Sequence, residues 1–264
     1  MASKAADAFV RAWVDRKQLG PSDYPAAPTT VAEMYDVHEA VQQHPLVASE
    51  LGGLGGYKLG AVGAEGEPCL YAPLFGNYLV EAPGDALSAA AIHLAALEPE
   101  VGFVMGADLP PNADGSPHSV AATWAAVDRV VLCLEVCGKR GTPEALAASS
   151  KLGGFADTLS SGGVVIGPRL PASELSVEAV RAITTELFVD GTLVATGAAS
   201  KVPEGGPAES LAFLANHLNS RGLRLKRGEL VATGQTCNTK ECAVGSAVRA
   251  TFSGLGEVQM VIAP

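Results

Sequence analysis

The sequence predicts an α+β protein: a helical region over residues 1–50, then a strand-rich body over residues 51–264, together forming one compact unit. Three observations carry that expectation. The first fifty residues place apolar side chains at helical spacing. The body consists of short apolar runs broken by many of the chain's 30 glycines and 17 prolines, a composition that suits strands and turns better than a helical bundle. A strong hairpin cue and one amphipathic helix fall among those runs, with no regular strand–helix alternation. With 264 residues, 48% of them hydrophobic, the chain is long enough to enclose a large core.

The elements follow in order. In "MASKAADAFVRAWVDRKQ", Ala5, Phe9, Ala12 and Trp13 share one helical face, which suits a docked first helix. In "PTTVAEMYDVHEAVQQH", Thr30 is an N-cap with Glu33 three residues on, the pattern of a capping box. Val31, Met34, Tyr35, His38, Val41 and Gln42 then lie along one face. "GGLGGYKLGAVGAEG" is a Gly-rich stretch around a short strand, and "SAAAIHLAAL" is weakly patterned. Strands are expected at "EVGFVMGADL", "RVVLCLEVCGKR" and "SGGVVIGPRL", with helical character in "SVAATWAAVDRV" between the first two. Asp190-Gly191 separates "TELFV" from "TLVATG", a hairpin signal. "PAESLAFLANHLNSRG" is an amphipathic helix whose apolar residues are Leu211, Leu214, Ala215 and Leu218, closed by Gly222. The tail reads as three short strands.

Bulk properties narrow the partners. The formal net charge is −10 with no basic cluster, which argues against nucleic acid and against an anionic membrane surface. No apolar run reaches the roughly 20 residues of a membrane span. Asp7 and Asp15 disfavour an organelle transit peptide, and a secretory core is missing. Five cysteines, an odd number without a CxxC pair, signal neither a disulfide framework nor a zinc site. A reducing, cytoplasmic setting is expected.

The chemistry begins at "LEPEVGF". On a strand, Glu98 and Glu100 project to the same side. Spacing alone favours a solvated strand face, since most glutamates are exposed. Glu135, inside the apolar run "VVLCLEVC", has little room for such a face, and three carboxylates on two apolar strands suit a hard cation, Mg2+ or Mn2+. Lys58 in "GYKLG" is either an acid/base with a depressed pKa or a lysine reaching to solvent from a strand end. The glycines around it have neither GxGxxG nor P-loop spacing, and neither HExxH nor GxSxG occurs. His38 and His217 fall in helices and read as structural or surface residues.

The ordered set "GYKLG", "EPEVGFVMGADL", "LEVCGKR", "FADTLSSGGVVIG", "GAASKVPEGGPAESLAFLANHLNSRGLRLKRGELVATG" and "FSGLGEV" resembles the 2-keto-4-pentenoate hydratase / 4-oxalocrotonate decarboxylase branch of the fumarylacetoacetate hydrolase superfamily, from about Tyr35 onward. The resemblance implies a mixed β-sheet roll, a divalent metal on Glu98, Glu100 and Glu135, and an active-site lysine at Lys58. It implies substrate contacts from Ser160, Ser161, Gly234 and Thr236. It implies a homo-oligomer acting on a small 2-oxo acid or its dienol. Hydration of a 2-hydroxy-2,4-dienoate ranks first, decarboxylation or tautomerisation second, C–C hydrolysis third, and a non-catalytic binding subunit stands as the alternative class. Three positions depart from the family pattern: Leu74 stands where many hydratases have Asp, Gly138 where "DSR" begins, and Thr158 at the Asn of "ADN".

Overall fold

A seven-stranded mixed sheet organises the molecule. The computed structural model describes residues 1–61, 69–82, 87–239 and 242–264; the end of the Gly-rich stretch, residues 62–66, lies outside the described residues. The strands are β1 (Leu54–Ala61), β2 (Cys69–Phe75), β3 (Leu79–Glu81), β4 (Leu94–Met105), β5 (Val127–Gly138), β6 (Ser161–Pro171), β7 (Thr184–Val189), β8 (Thr192–Ala198), β9 (Leu230–Gln235), β10 (Ala247–Phe252) and β11 (Gly256–Val261). The large sheet runs β2-β1-β9-β4-β5-β6-β3, and a second runs β11-β10-β7-β8. Pairings β1–β9 and β3–β6 are parallel and the others antiparallel, so the mixed sheet expected for this chain is present.

The large sheet is apolar on both faces, and period-two alternation divides them. On β5, Leu132, Leu134 and Val136 face the main core, which also takes Phe9, Trp13, Met34 and Leu211 from the flanking helices. The N-terminal helices therefore share one core with the sheets. Val131 and Cys133 point the other way. They join Leu74 of β2, Val164 and Ile166 of β6, and Leu230 and Ala232 of β9 in a small buried cluster. β2 and β6 stand near opposite ends of the sheet order, so their side chains meet only because the sheet curls upon itself. That enclosed face carries the site.

Local signals behave as their chemistry requires. Ala5, Phe9, Ala12 and Trp13 are all buried in the helix Ala2–Asp15. The Thr30 hydroxyl caps the helix Val31–Gln42 by accepting from the Glu33 amide at 3.1 Å, and the Glu33 carboxylate reaches back one residue further than expected, to Thr29. Asp190 and Gly191 both take positive φ, as the tight β7–β8 turn demands. Gly222, at φ 75°, follows the helix Pro207–Ser220 in the left-handed conformation. The strand β2 was not anticipated: "CLYAPLF" is buried at every position, so it shows no alternation to read, and its proline argues against a strand.

Candidate metal centre

β4 supplies two carboxylates and β5 a third. The antiparallel register sets Glu98 opposite Glu135 and Glu100 opposite Cys133. All three glutamates therefore project to the enclosed face, the solvated-face alternative being excluded for two of them: Glu100 and Glu135 are 0% exposed, while Glu98 is half-buried. Pro99, in a central strand, has no N–H to give. Its carbonyl accepts from the Thr236 amide at 2.9 Å and the Thr236 hydroxyl at 2.8 Å, which places the missing donor on the β9 side. There the β4–β9 register shifts between Glu100↔Gln235 and Gly102↔Ala232, so the ladder is already interrupted.

Lys58 arrives from three strands away. Across a flat sheet, the steps β1–β9–β4–β5 span roughly 14 Å at ordinary strand spacing. The curl brings Lys58 Nζ to 2.6 Å from Glu135 Oε1, and Nζ also donates to the Leu159 carbonyl at 3.2 Å. The two residues between are small, Ala232 beside Lys58 and Gly102 beside Ala232, and leave the lysine a clear reach. Burial pulls the ammonium's pKa down, but Glu135 first, then Cys137, Glu98 and Glu100, outweigh it and hold the group above the ordinary lysine range. This corrects the expected depressed pKa: the carboxylates around Nζ keep it in the acid form. A dication among them offsets much of that field.

The donor set fits such a cation. Ligand atoms of Glu98, Glu135 and Cys137 all lie within 4.8 Å of one another. Glu100 stands beside this group. Its Oε2 accepts from the Gly234 amide at 2.9 Å, while Glu100 Oε1 and Glu135 Oε2 meet no hydrogen-bond donor among the described residues. Burial pushes the Glu100 carboxyl up and the Glu135 charge adds to it; Glu135 is likewise raised, by burial above all. Buried acceptors without donors are costly, and a divalent cation relieves both the desolvation and the mutual repulsion.

Above the centre opens a pocket of about 370 Å³. Of the residues expected to form the site, Lys58, Glu98 and Ser160 line it. Ser161 is buried beside it at the start of β6, paired in register with Cys137. Gly234 contributes its amide to Glu100 and takes φ 112°, and a Cβ there would stand 2.5 Å from Pro203 Cδ. Thr236 departs from its expected substrate contact: its hydroxyl donates to Pro99 and accepts from Thr185 at 2.7 Å, so it braces the Glu-Pro-Glu segment. The pocket also takes Cys137, Lys139, Phe155 and Gln235. Gln235 belongs to the Thr233–Thr236 segment that the family resemblance places at the pocket, whereas Lys139 directly follows the β-strand that carries Glu135, which is the signal that could have found it.

The wall at Leu159 is a left-handed turn. Thr158, Leu159 and Ser160 have φ of 43°, 52° and 59°. Consecutive non-glycine residues there are strained, a β-branched threonine most of all. The preceding Asp157 anchors the turn to Arg140: the Arg140 amide donates to Oδ2 and Nε to Oδ1, both at 2.8 Å. Arg140 Nη2 caps the Gly138 carbonyl at 2.8 Å, and the guanidinium lies 4.2 Å from the centroid of Trp13. Gly138 has a steric reason to lack a side chain, since a Cβ would stand 2.0 Å from the Ile92 carbonyl. Leu74 belongs to the apolar cluster that floors the site. Both helical histidines are structural: His38 bonds the Phe155 carbonyl at 2.9 Å, with burial pulling its pKa down to about 4, and His217 Nδ1 lies 3.1 Å from the Tyr71 hydroxyl.

Residues 75–263 match the family model described as fumarylacetoacetate (FAA) hydrolase C-terminal. The chain is 28% identical over 174 residues to a 2-hydroxyhexa-2,4-dienoate hydratase from Comamonas testosteroni, which covers 65% of this chain and 61% of that protein, so the match spans less than two thirds of the relative. Its fold is similar to 4-oxalocrotonate decarboxylase from Pseudomonas putida G7 complexed with magnesium and adipate, with a TM-score of 0.82 at 23% identity, covering 99% of this chain and 97% of the other. A more distant similarity is to fumarylpyruvate hydrolase from Pseudomonas aeruginosa in complex with Mn2+ and pyruvate, with a TM-score of 0.55 at 18% identity over 79% of this chain and 88% of that one. At these identities the structural likeness is one of fold.

Proposed function

We propose, from the premise that the chain belongs to the fumarylacetoacetate (FAA) hydrolase family, that it is a divalent-metal-dependent lyase acting on a 2-oxo acid or its dienol, and that its reaction is hydration of a 2-hydroxy-2,4-dienoate. The observation that carries this reading is the Lys58 ammonium, 2.6 Å from Glu135 among carboxylate oxygens without donors, at a pocket lined by Glu98. Relatives of this fold carry magnesium and manganese in their complexes, and one relative in sequence is a dienoate hydratase, which supports both the cofactor and the substrate class.

Glu98, Glu100 and Glu135 would hold Mg2+ or Mn2+, which supplies Lewis-acid stabilisation of negative charge developing on the 2-oxo oxygen. The chain's own residues do the rest. Lys58 Nζ, seated 2.6 Å from Glu135 Oε1, delivers a proton to the carbon chain as the dienol becomes the ketone, the enol O–H proton passing to solvent. The Leu159 carbonyl and Glu135 aim that ammonium. Ser160 and Gln235 contact the part of the substrate beyond the oxo acid, while Ser161, Gly234 and Thr236 shape the pocket from behind. Phe155, Leu159, Ala95 and Ala96 provide its apolar wall. We extend the proposal to a cytoplasmic homo-oligomer; the thiols of Cys69, Cys133, Cys137 and Cys237, none in a disulfide, support the reducing setting.

One observation favours a second reading. Lys139 is exposed at the pocket and forms no ion pair among the described residues, so it is placed to meet a second carboxylate. A 2-oxo diacid, decarboxylated or tautomerised, would use it; a monoanionic dienoate would not. A panel of 2-hydroxydienoates and 2-oxo diacids, assayed with Mg2+ and with products identified, separates the reactions. Metal-dependent hydration, abolished by a chelator, is expected. Lys139→Gln should raise KM for a diacid by about tenfold, roughly 1.4 kcal/mol, and leave KM for a monoacid unchanged. A protein that binds neither a divalent cation nor oxalate overturns the enzymatic reading.

A further inference from the structure

We infer that Cys137 is a sulfur donor to the cation held by Glu98 and Glu135, so that this site takes thiophilic divalent ions such as Co2+, Zn2+ and Cd2+ through a mixed oxygen–sulfur set. The inference rests on the metal-site reading above and adds a ligand to it.

The geometry is specific. Glu135 and Cys137 lie two residues apart on β5 and so point to the same enclosed face. Glu98 faces Glu135 across the ladder, and Cys137 faces Ala96, whose methyl group leaves the space before the thiol open. The Cys137 sulfur and an oxygen from each of the two glutamates fall within 4.8 Å of one another. Two ligand atoms on one ion at bonds of about 2.0–2.3 Å stand no more than about 4.6 Å apart, so a small side-chain rotation brings the three onto a single ion. Glu135 Oε2, fully buried and without a donor among the described residues, independently marks a place for a cation.

The neighbouring thiol makes the contrast. Cys133 is two side-chain repeats deeper on the same face, beyond Glu135, and its Sγ lies 3.4 Å from the Glu100 carbonyl, to which it donates. Cys137 makes no such bond among the described residues and lines the pocket directly. Coordination replaces the thiol's S–H bond with a sulfur–metal bond and releases the proton to solvent. Soft thiolate favours Zn2+, Cd2+ and Co2+, whereas Mg2+ takes oxygen ligands and leaves the thiol protonated. One site thus has two modes: carboxylates and water for a hard ion, carboxylates plus sulfur for a thiophilic one.

The test uses the full chain, stripped of metal. Co2+ and Cd2+ are titrated in while ultraviolet absorbance is recorded, with Mg2+ binding measured by calorimetry in parallel. The expected result is a thiolate-to-metal charge-transfer band that saturates at one equivalent, is kept by Cys133→Ala and is lost in Cys137→Val. The same Cys137→Val variant should bind Cd2+ at least about tenfold more weakly. Circular dichroism confirms that both variants are folded. Stoichiometric Co2+ and Mg2+ binding without a band, or a band that survives in Cys137→Val, overturns the sulfur donor and leaves the carboxylate site standing. A wild-type protein that binds none of the three ions overturns the metal-site reading, and the sulfur donor with it.

Discussion

Lys58→Ala is expected to lower kcat by about 10²–10⁴-fold, the range in which a positioned acid or base contributes to a proton transfer. Metal binding should tighten. The ammonium lies 2.6 Å from Glu135 Oε1, where it competes with a cation for the same carboxylate. The two effects therefore move in opposite directions, which a merely structural lysine would not produce. Stability adds a third readout. Removing Nζ leaves Glu100 and Glu135, both fully buried, without their cationic neighbour, so the metal-free variant should melt below wild type. Added Mg2+ should restore most of that loss by linkage, since it binds the folded state. Lys58→Arg is not expected to rescue turnover, because a planar guanidinium does not reproduce a compact ammonium seated between Glu135 and the Leu159 carbonyl. Steady-state kinetics, calorimetry and thermal melts with and without Mg2+ check all three. A variant within about threefold of wild-type kcat would remove Lys58 from the proton transfer.

Much of this centre was legible because strands have a strict period. Glu98 and Glu100 are two apart, and the apolar letters around Glu135 leave little room for a solvated face, so three carboxylates on two apolar strands followed from spacing and composition. The hairpin at Asp190-Gly191, the Thr30 cap and the Pro207–Ser220 helix followed from equally local chemistry. What could not be read is the geometry that crosses strands. That Glu135 stands opposite Glu98, and that Lys58 closes roughly 14 Å of flat sheet to reach it, depend on strand order and curl. Cys137 became a candidate ligand only once register placed it beside both carboxylates. Pro99 pointed the wrong way, since a proline argues against a central strand; its missing donor is harmless only because the β9 ladder shifts there. Two of the three departures from the family pattern also acquire causes: Gly138 has no space for a side chain, and Leu74 joins an apolar floor. Nothing in the structure explains Thr158, which occupies a left-handed turn that its type disfavours.

That turn leads to the second large effect. Asp157→Ala should destabilise the fold by about 3–5 kcal/mol, the cost of leaving a buried charge without its partner. Arg140 is 1% exposed, and two of its nitrogens donate to Asp157; the remaining contacts are the Gly138 carbonyl and the Trp13 ring, neither of which carries a formal charge. For a chain of this size the loss corresponds to a fall in Tm of roughly 10 °C. The buried pair need not stabilise the fold relative to an apolar substitute. Arg140→Met combined with Asp157→Leu should therefore recover part of the loss, because both charges leave together. Activity should not recover with it. Asp157 directly precedes the strained residues Thr158–Ser160, and with its carboxylate gone the Leu159 carbonyl is no longer held where Lys58 Nζ meets it. The double variant is thus expected to regain part of the lost stability, the residue-140 backbone amide and the Gly138 carbonyl still lacking their partners, while showing a lowered kcat and an altered pH profile, the separation that distinguishes a positioning role from a structural one. Full activity in the double variant would show that the turn keeps its shape without the ion pair, and a stability loss below about 1 kcal/mol in Asp157→Ala would show that Arg140 finds water or another partner when its carboxylate is removed.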